Sequence, residues 1–320
     1  MSRRLLIGLA VLPIVMACGA HRPTSATPID GAEVGLGSLV QSATHISIDV
    51  LIPSEGDVTA ALERARNEVK ATAATIADVL PPNPDAPVVK IELGNIADEH
   101  WDHHLPGYAE SMIDPDEFEA ADRSAGVIVI SARAPEARGW EMIRLVTTLA
   151  IDLAASQSGW IYDSYRAELH DAESFASSVP DSRNPDVRTI LRVVGVVPTK
   201  GGLDHIRTIG LWRLGLPELY VPDVPHEYLD ATIELVRATA QILSQRRRVT
   251  RRGIIELDES TLSPGWPRIG SAGRFVWSAR WMRGPIHDHA MQIVLAVPGA
   301  RDKDPTALMA AVRAFAGGKP

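Results

Sequence analysis

Apolar positions along this chain follow two periods, and each period predicts a kind of element. His45 to Ile52 alternates, with Ile46, Ile48, Val50 and Ile52 on one side, as a half-buried strand does. Pro53 and Gly56 end it, and Asp57 is placed to cap a helix running to about Val79, with Val58, Leu62, Val69 and Ile76 on its apolar face. Pro81, Pro82 and Pro84 stop that helix, and Val88 to Leu93 predicts a second strand. Gly126 to Ser131 holds the run Val127-Ile128-Val129-Ile130, the pattern of a strand covered on both faces. From Trp140 to Ser156, Ile143, Val146, Ala150, Leu153 and Ala154 recur at helical spacing, and Glu141, Arg144, Thr148 and Asp152 form a separate wet stripe. Ser158 and Gly159 close this helix, and Trp160-Ile161-Tyr162 begins another extended segment.

The order β, α, β, then β, α, β predicts an α+β chain whose first half is a ferredoxin-like βαββαβ unit. Between the two β-α-β units lies a long acidic insertion, Gly94 to Ser124, of a length that is usually functional or poorly ordered. After Asp163 a mixed polar segment leads to Pro185, the expected boundary between a first lobe over 43–183 and a second over 184–320, with one continuous domain as the alternative. The second half is also α+β, packed on the first. Thr189 to Val197 predicts a strand and Ile206 to Leu214 its hairpin partner, joined through Lys200-Gly201-Gly202. A helix follows from His226 to Ser244, then strands at Ile254 to Leu257, Phe275 to Met282 and Ala290 to Val297, and a last helix from Pro305 to Phe315.

Composition changes this picture mainly at the start of the chain. With 320 residues, 45% hydrophobic and 22% charged, the bulk has the makeup of a folded protein. Residues 1–17 differ: Arg3 and Arg4 precede the apolar run Leu5 to Met16, as in a secretory signal peptide, and the run is too short to span a bilayer permanently. Val15-Met16-Ala17-Cys18 resembles a bacterial lipobox, which implies cleavage before Cys18 and lipid attachment to it. Cys18 is the only cysteine, which excludes an internal disulfide and a thiolate zinc cluster. Residues 18–42, rich in Gly, Ser, Thr, Ala and Pro, read as a flexible tether. Gly19 follows the cysteine, which in Gram-negative lipoproteins permits transfer to the outer membrane, facing the periplasm. The formal charge is −8, and −10 once residues 1–17 with Arg3 and Arg4 are removed, which argues against nucleic acid as a partner.

The chemical suggestion in the sequence is the clustering of Glu99, His100, Asp102, His103 and His104, which His287, Asp288 and His289 could join in space. Imidazole and carboxylate suit a divalent metal such as zinc, and an open coordination position would activate water. The competing explanation is two solvated polar loops, because no His-Glu-x-x-His helix is present. Ser131 stands at a strand end but lacks the glycines of a nucleophile elbow, as does Ser271. Arg246, Arg247, Arg248, Arg251 and Arg252 follow a helix end, where cations meet the negative terminus. Trp140, Trp160, Trp212, Trp266, Trp277 and Trp281 read as packing, and Phe275, Trp277, Ala279 and Trp281 share one strand face.

The strand ending in Ser131, the helix through Thr147-Thr148-Leu149-Ala150, the phrase Gly159 to Asp163 and the phrase Thr208 to Leu219 together resemble an uncharacterised bacterial family of α+β proteins. That resemblance supplies no established activity or catalytic residues, and it implies that one fold embraces both halves. The sequence therefore predicts a lipid-anchored cell-envelope protein that serves as a non-catalytic binding or interaction module, held to the membrane through Cys18 and meeting a protein partner there. Two alternatives stay open: a metal-dependent hydrolase on His100, His103 and His104, and an immunity-type lipoprotein.

Overall fold

The computed structural model describes residues 44–53, 56–77, 88–94, 110–111, 115–134, 139–166, 168–196, 203–245, 254–258, 274–282, 292–299 and 305–315. They form an α+β protein built on two six-stranded sheets.

The first sheet contains β1 (Thr44–Ile52), β2 (Val88–Gly94), β3 (Glu110–Ser111), β4 (Gly126–Ala134), β5 (Trp160–Asp163) and β6 (Glu168–His170) in the order β2-β4-β1-β5-β6-β3. β4 lies between β1 and β2 and is antiparallel to both, and β5 runs antiparallel on the far side of β1. Two β-α-β units thus interleave in one sheet, with α1 (Val58–Ala77) and α3 (Gly139–Gln157) as their crossover helices. The β1–β4 register sets Ile48 opposite Ile130 and Val50 opposite Ile128, so two alternating patterns bury the same face. That face joins Leu62 and Ala65 of α1 and Met142, Val146, Ala150 and Leu153 of α3 in the main core. The continuous run in β4 is explained by its second face. There Val127 packs with Leu51, Tyr162, Leu169 and Ala121, the last from α2 (Pro115–Asp122).

The insertion between the two units is therefore partly built structure. It supplies α2 to the sheet's second face and β3 to its edge, where β3 pairs in parallel with β6. The polar segment after Asp163 also differs from expectation. It holds β6, all three of whose residues are buried, and the short helix α4 (Ala172–Phe175), capped where Ser174 N donates to Asp171 Oδ1 at 2.6 Å. A three-residue buried strand shows no period in sequence, which is why it reads as polar coil.

The second sheet contains β7 (Arg192–Val196), β8 (Asp204–Ile209), β9 (Glu218–Val224), β10 (Ile254–Asp258), β11 (Arg274–Met282) and β12 (Gln292–Ala296) in the order β10-β11-β12-β9-β8-β7. Neighbours are antiparallel except β12 and β9, which run parallel at the centre. Helices α5 (Leu229–Ser244) and α6 (Pro305–Phe315) contribute to its core, and Trp277 Nε1 donates to Thr239 Oγ1 of α5 at 2.9 Å. Phe275, Trp277 and Ala279 are buried on one face of β11, as alternation requires. Two expectations change here. The extended stretch to Leu214 ends instead at Ile209, because Gly210 at φ 121° turns the chain into a 3-10 turn over Leu211–Leu214. The following strand β9 is absent from the sequence reading, since Pro217 precedes it and Pro222 interrupts its pattern. Buried residues of both sheets form one contiguous cluster, from Ile48 and Ile130 to Leu219, Trp277 and Val312.

Candidate functional site

Buried polar groups concentrate along the seam where the second sheet's Leu211–Leu214 turn meets β1 and β5. Asp163 ends β5, and its Oδ1 accepts from Tyr165 N at 3.1 Å and Arg166 N at 3.2 Å, closing the turn on itself as an Asx residue does. The Arg213 guanidinium donates to the same Oδ1 from across the seam. It also lies over the Tyr165 ring at 4.4 Å, and Tyr165 meets Trp212 edge to face at 4.2 Å.

Arg213 is aimed by Glu218. This fully buried carboxyl accepts from Thr208 Oγ1 at 2.6 Å, Gly210 N at 2.8 Å and Trp212 N at 3.4 Å, so it holds the start of the turn that carries Arg213. Burial pushes Glu218 up to about 7, and these three donors oppose the shift. Gly210 is required sterically as well, because a Cβ there would stand 2.4 Å from the Ile190 carbonyl oxygen.

A second set of links continues the seam. Arg166 pairs with Glu168 at 2.7 Å, and His170 Nε2 lies 3.1 Å from the same carboxylate oxygen. Arg166 Nη1 donates to Ser178 Oγ and to the Thr189 carbonyl at 3.1 and 3.2 Å, while Arg192 Nη1 donates back to the Arg166 carbonyl at 2.7 Å. Gln241 of α5 accepts from Val187 N at 2.7 Å and donates to the Pro185 carbonyl at 3.0 Å.

Asp49 is different. It is 6% exposed on the second face of β1, where the register sets Val129 and Tyr162 opposite it. Burial pushes it up to about 7, and the nearby Asp163 carboxylate adds to the rise. Tyr165 is likewise raised by burial, with Arg213 opposing and Asp163 and Asp49 reinforcing. Such a carboxyl stores a proton near neutrality.

A smaller constellation lies at the far end of β8. His226 Nδ1 is 2.8 Å from Oδ2 of buried Asp204, and the His226 ring is 78% exposed. His205 stacks tilted on Tyr220 at 5.7 Å, and burial lowers it below the ordinary histidine range against the pull of Asp204 and Asp223.

Several residues singled out in the sequence lie outside the described residues: Cys18, His100, Asp102, His103, His104, Arg246, Arg247, Arg248, Arg251, Arg252, Ser271, His287, Asp288 and His289. Among the described residues no group of three or more His, Cys, Asp or Glu side chains is placed to hold a metal ion, and no helix is long and apolar enough to cross a membrane. Ser131 is on β4, opposite Ser47 of β1 and Lys90 of β2. Asp49, Asp163, Arg213 and Glu218 were not legible as a set. Their one local signal is an acid inside an otherwise apolar strand, as with Asp49 between Ile48 and Val50. No protein-family model matches the chain, and no curated protein or solved structure matches it.

Proposed function

We propose that the protein is a lipid-anchored cell-envelope protein acting as a binding or interaction module. The observation that carries this reading is the leader: Arg3 and Arg4, the apolar run Leu5 to Met16, and Cys18 after a small residue. The polar seam supports the non-catalytic part, because Asp163 and Arg213 pair across it, Arg166 reaches Ser178 and Thr189, and Glu218 reaches Thr208 and Gly210, so these groups join elements to one another. Several acyl chains on Cys18 hold such a module at the membrane, whereas one chain alone anchors only marginally.

The test is metabolic labelling with radioactive palmitate, followed by envelope fractionation. Label and membrane association are expected in the parent and lost in Cys18→Ala. Unchanged labelling in the variant overturns the anchor. Cross-linking in intact envelopes then asks for the partner: one stable protein partner supports the module, and a toxin as that partner identifies it as immunity-type.

A further inference from the structure

The first sheet ends on β2, which among the described residues pairs on one side only, with β4. An edge strand offers its free backbone N–H and C=O groups to any second strand, so what its side chains admit decides its partner. The register with β4 puts Val89, Ile91 and Leu93 on the main-core face, opposite Ala132, Ile130 and Ile128. Lys90 and Glu92 fall on the other face. Both are exposed, and neither makes an ion pair among the described residues. Leu93 is 52% exposed, and among the described residues Leu203 is the one other large apolar side chain that is exposed.

This strand, VVKIELG, is complementary to itself. Its middle residue is Ile91. Antiparallel pairing of two copies about a two-fold axis through Ile91 aligns all seven residues, with Val88 meeting Gly94 at each end. Lys90 of each copy then stands opposite Glu92 of the other, and Val89 opposite Leu93. Directly opposite residues share a face, so the charges meet on one side while Val89 and Leu93 cover each other on the other. The registers two residues to either side set Lys90 against Lys90 or Glu92 against Glu92, which like-charge repulsion disfavours. A symmetric register shifted by one residue is excluded, because it pairs opposite faces. Lys90 thus blunts the edge toward other strands and welcomes this one.

We propose that β2 is the homodimerisation edge of the protein, joining the first sheets of two chains into one continuous sheet. A single strand pair buries little area, so the dimer is reversible and concentration-dependent.

Sedimentation velocity on the lipidated chain in detergent tests this over a dilution series. A dimer is expected, with Lys90→Glu alone or Glu92→Lys alone raising the midpoint concentration about tenfold, and the double swap restoring it. Both side chains are exposed, so unchanged thermal melts by circular dichroism are expected for every variant. A monomer throughout the series, a dimer indifferent to the single reversals, or a double swap that leaves association weak overturns the proposal.

Discussion

Arg213 and Asp163, fifty residues apart in sequence, form an ion pair across the seam between the two sheets, at 2% and 1% side-chain exposure. A pair this deep contributes little net stability over an apolar pair of the same shape, because both charges have left water. Its consequence is specificity of docking: only one placement of the Leu211–Leu214 turn on β1 and β5 satisfies both charges.

Removing one partner leaves the other charge buried and unpaired. Arg213→Ala and Asp163→Ala are each expected to cost about 3–5 kcal/mol in chemical denaturation. Arg213→Met with Asp163→Leu is expected to recover much of that loss. If either single variant proves neutral, the pair is not the joint described.

Asp49 makes stability depend on pH. Its ordinary value is 3.8 and its folded value about 7, so below about pH 4 both states hold the proton. Between those values the unfolded chain releases a proton that the native state retains, and stability falls as pH rises. The loss is on the order of a few kcal/mol and levels off above pH 7. Glu218 adds a slope of the same sign between 4.5 and about 7. Asp49→Asn is expected to match the parent near pH 4, to exceed it near pH 7.5 and to flatten the curve between. Parallel curves for parent and variant would reject a buried neutral acid at this position.

Glu218 should matter through the turn it organises. Glu218→Ala leaves the Gly210 N–H without its 2.8 Å acceptor in a buried site and is expected to cost about 1–3 kcal/mol. Gly210→Ala is expected to be worse, since it combines φ 121° with a Cβ 2.4 Å from the Ile190 carbonyl oxygen. Hydrogen exchange should show the lost protection concentrated at Leu211–Leu214 and β9. Uniform loss across both sheets would argue against a local role.

Trp277 reports on the second core. Its indole is buried and donates to Thr239 Oγ1, so Thr239→Val keeps the volume and removes the acceptor. About 1–3 kcal/mol of destabilisation is expected, because a buried donor is left unmade. Thr239→Ser, which keeps the hydroxyl, should lose less of that donor's contribution. Denaturation midpoints of the two variants give the comparison.

The histidine-rich stretch from His100 to His104 has a decisive chemical test. Elemental analysis of the purified chain is expected to find no stoichiometric zinc, and chelator treatment to leave the melting temperature unchanged. Zinc at one per chain that disappears in the combined His100→Ala, His103→Ala and His104→Ala variant would instead establish the hydrolase alternative as the one to pursue.

Periodicity along the chain was enough to locate most elements. The alternation of Ile46, Ile48, Val50 and Ile52 and the run Val127 to Ile130 mark β1 and β4, and the helical spacing from Ile143 to Ala154 marks α3. Pro305–Phe315 is a helix over the predicted residues. Such patterns report which side of an element is buried, because that side must be apolar at the element's own repeat. They do not report what it is buried against. β6 is too short to show a repeat, Pro222 breaks that of β9, and α2 lies inside a stretch whose acids outweigh its two core contacts, Phe118 and Ala121. The candidate site was less legible still. Asp49, Asp163, Arg213 and Glu218 come from β1, β5, a 3-10 turn and β9, and each alone is an unremarkable polar residue. Only the interleaving of the strands and the docking of the second sheet bring their charges together, since electrostatic coupling depends on separation in space and on exclusion of water, neither of which is written in any local window of sequence.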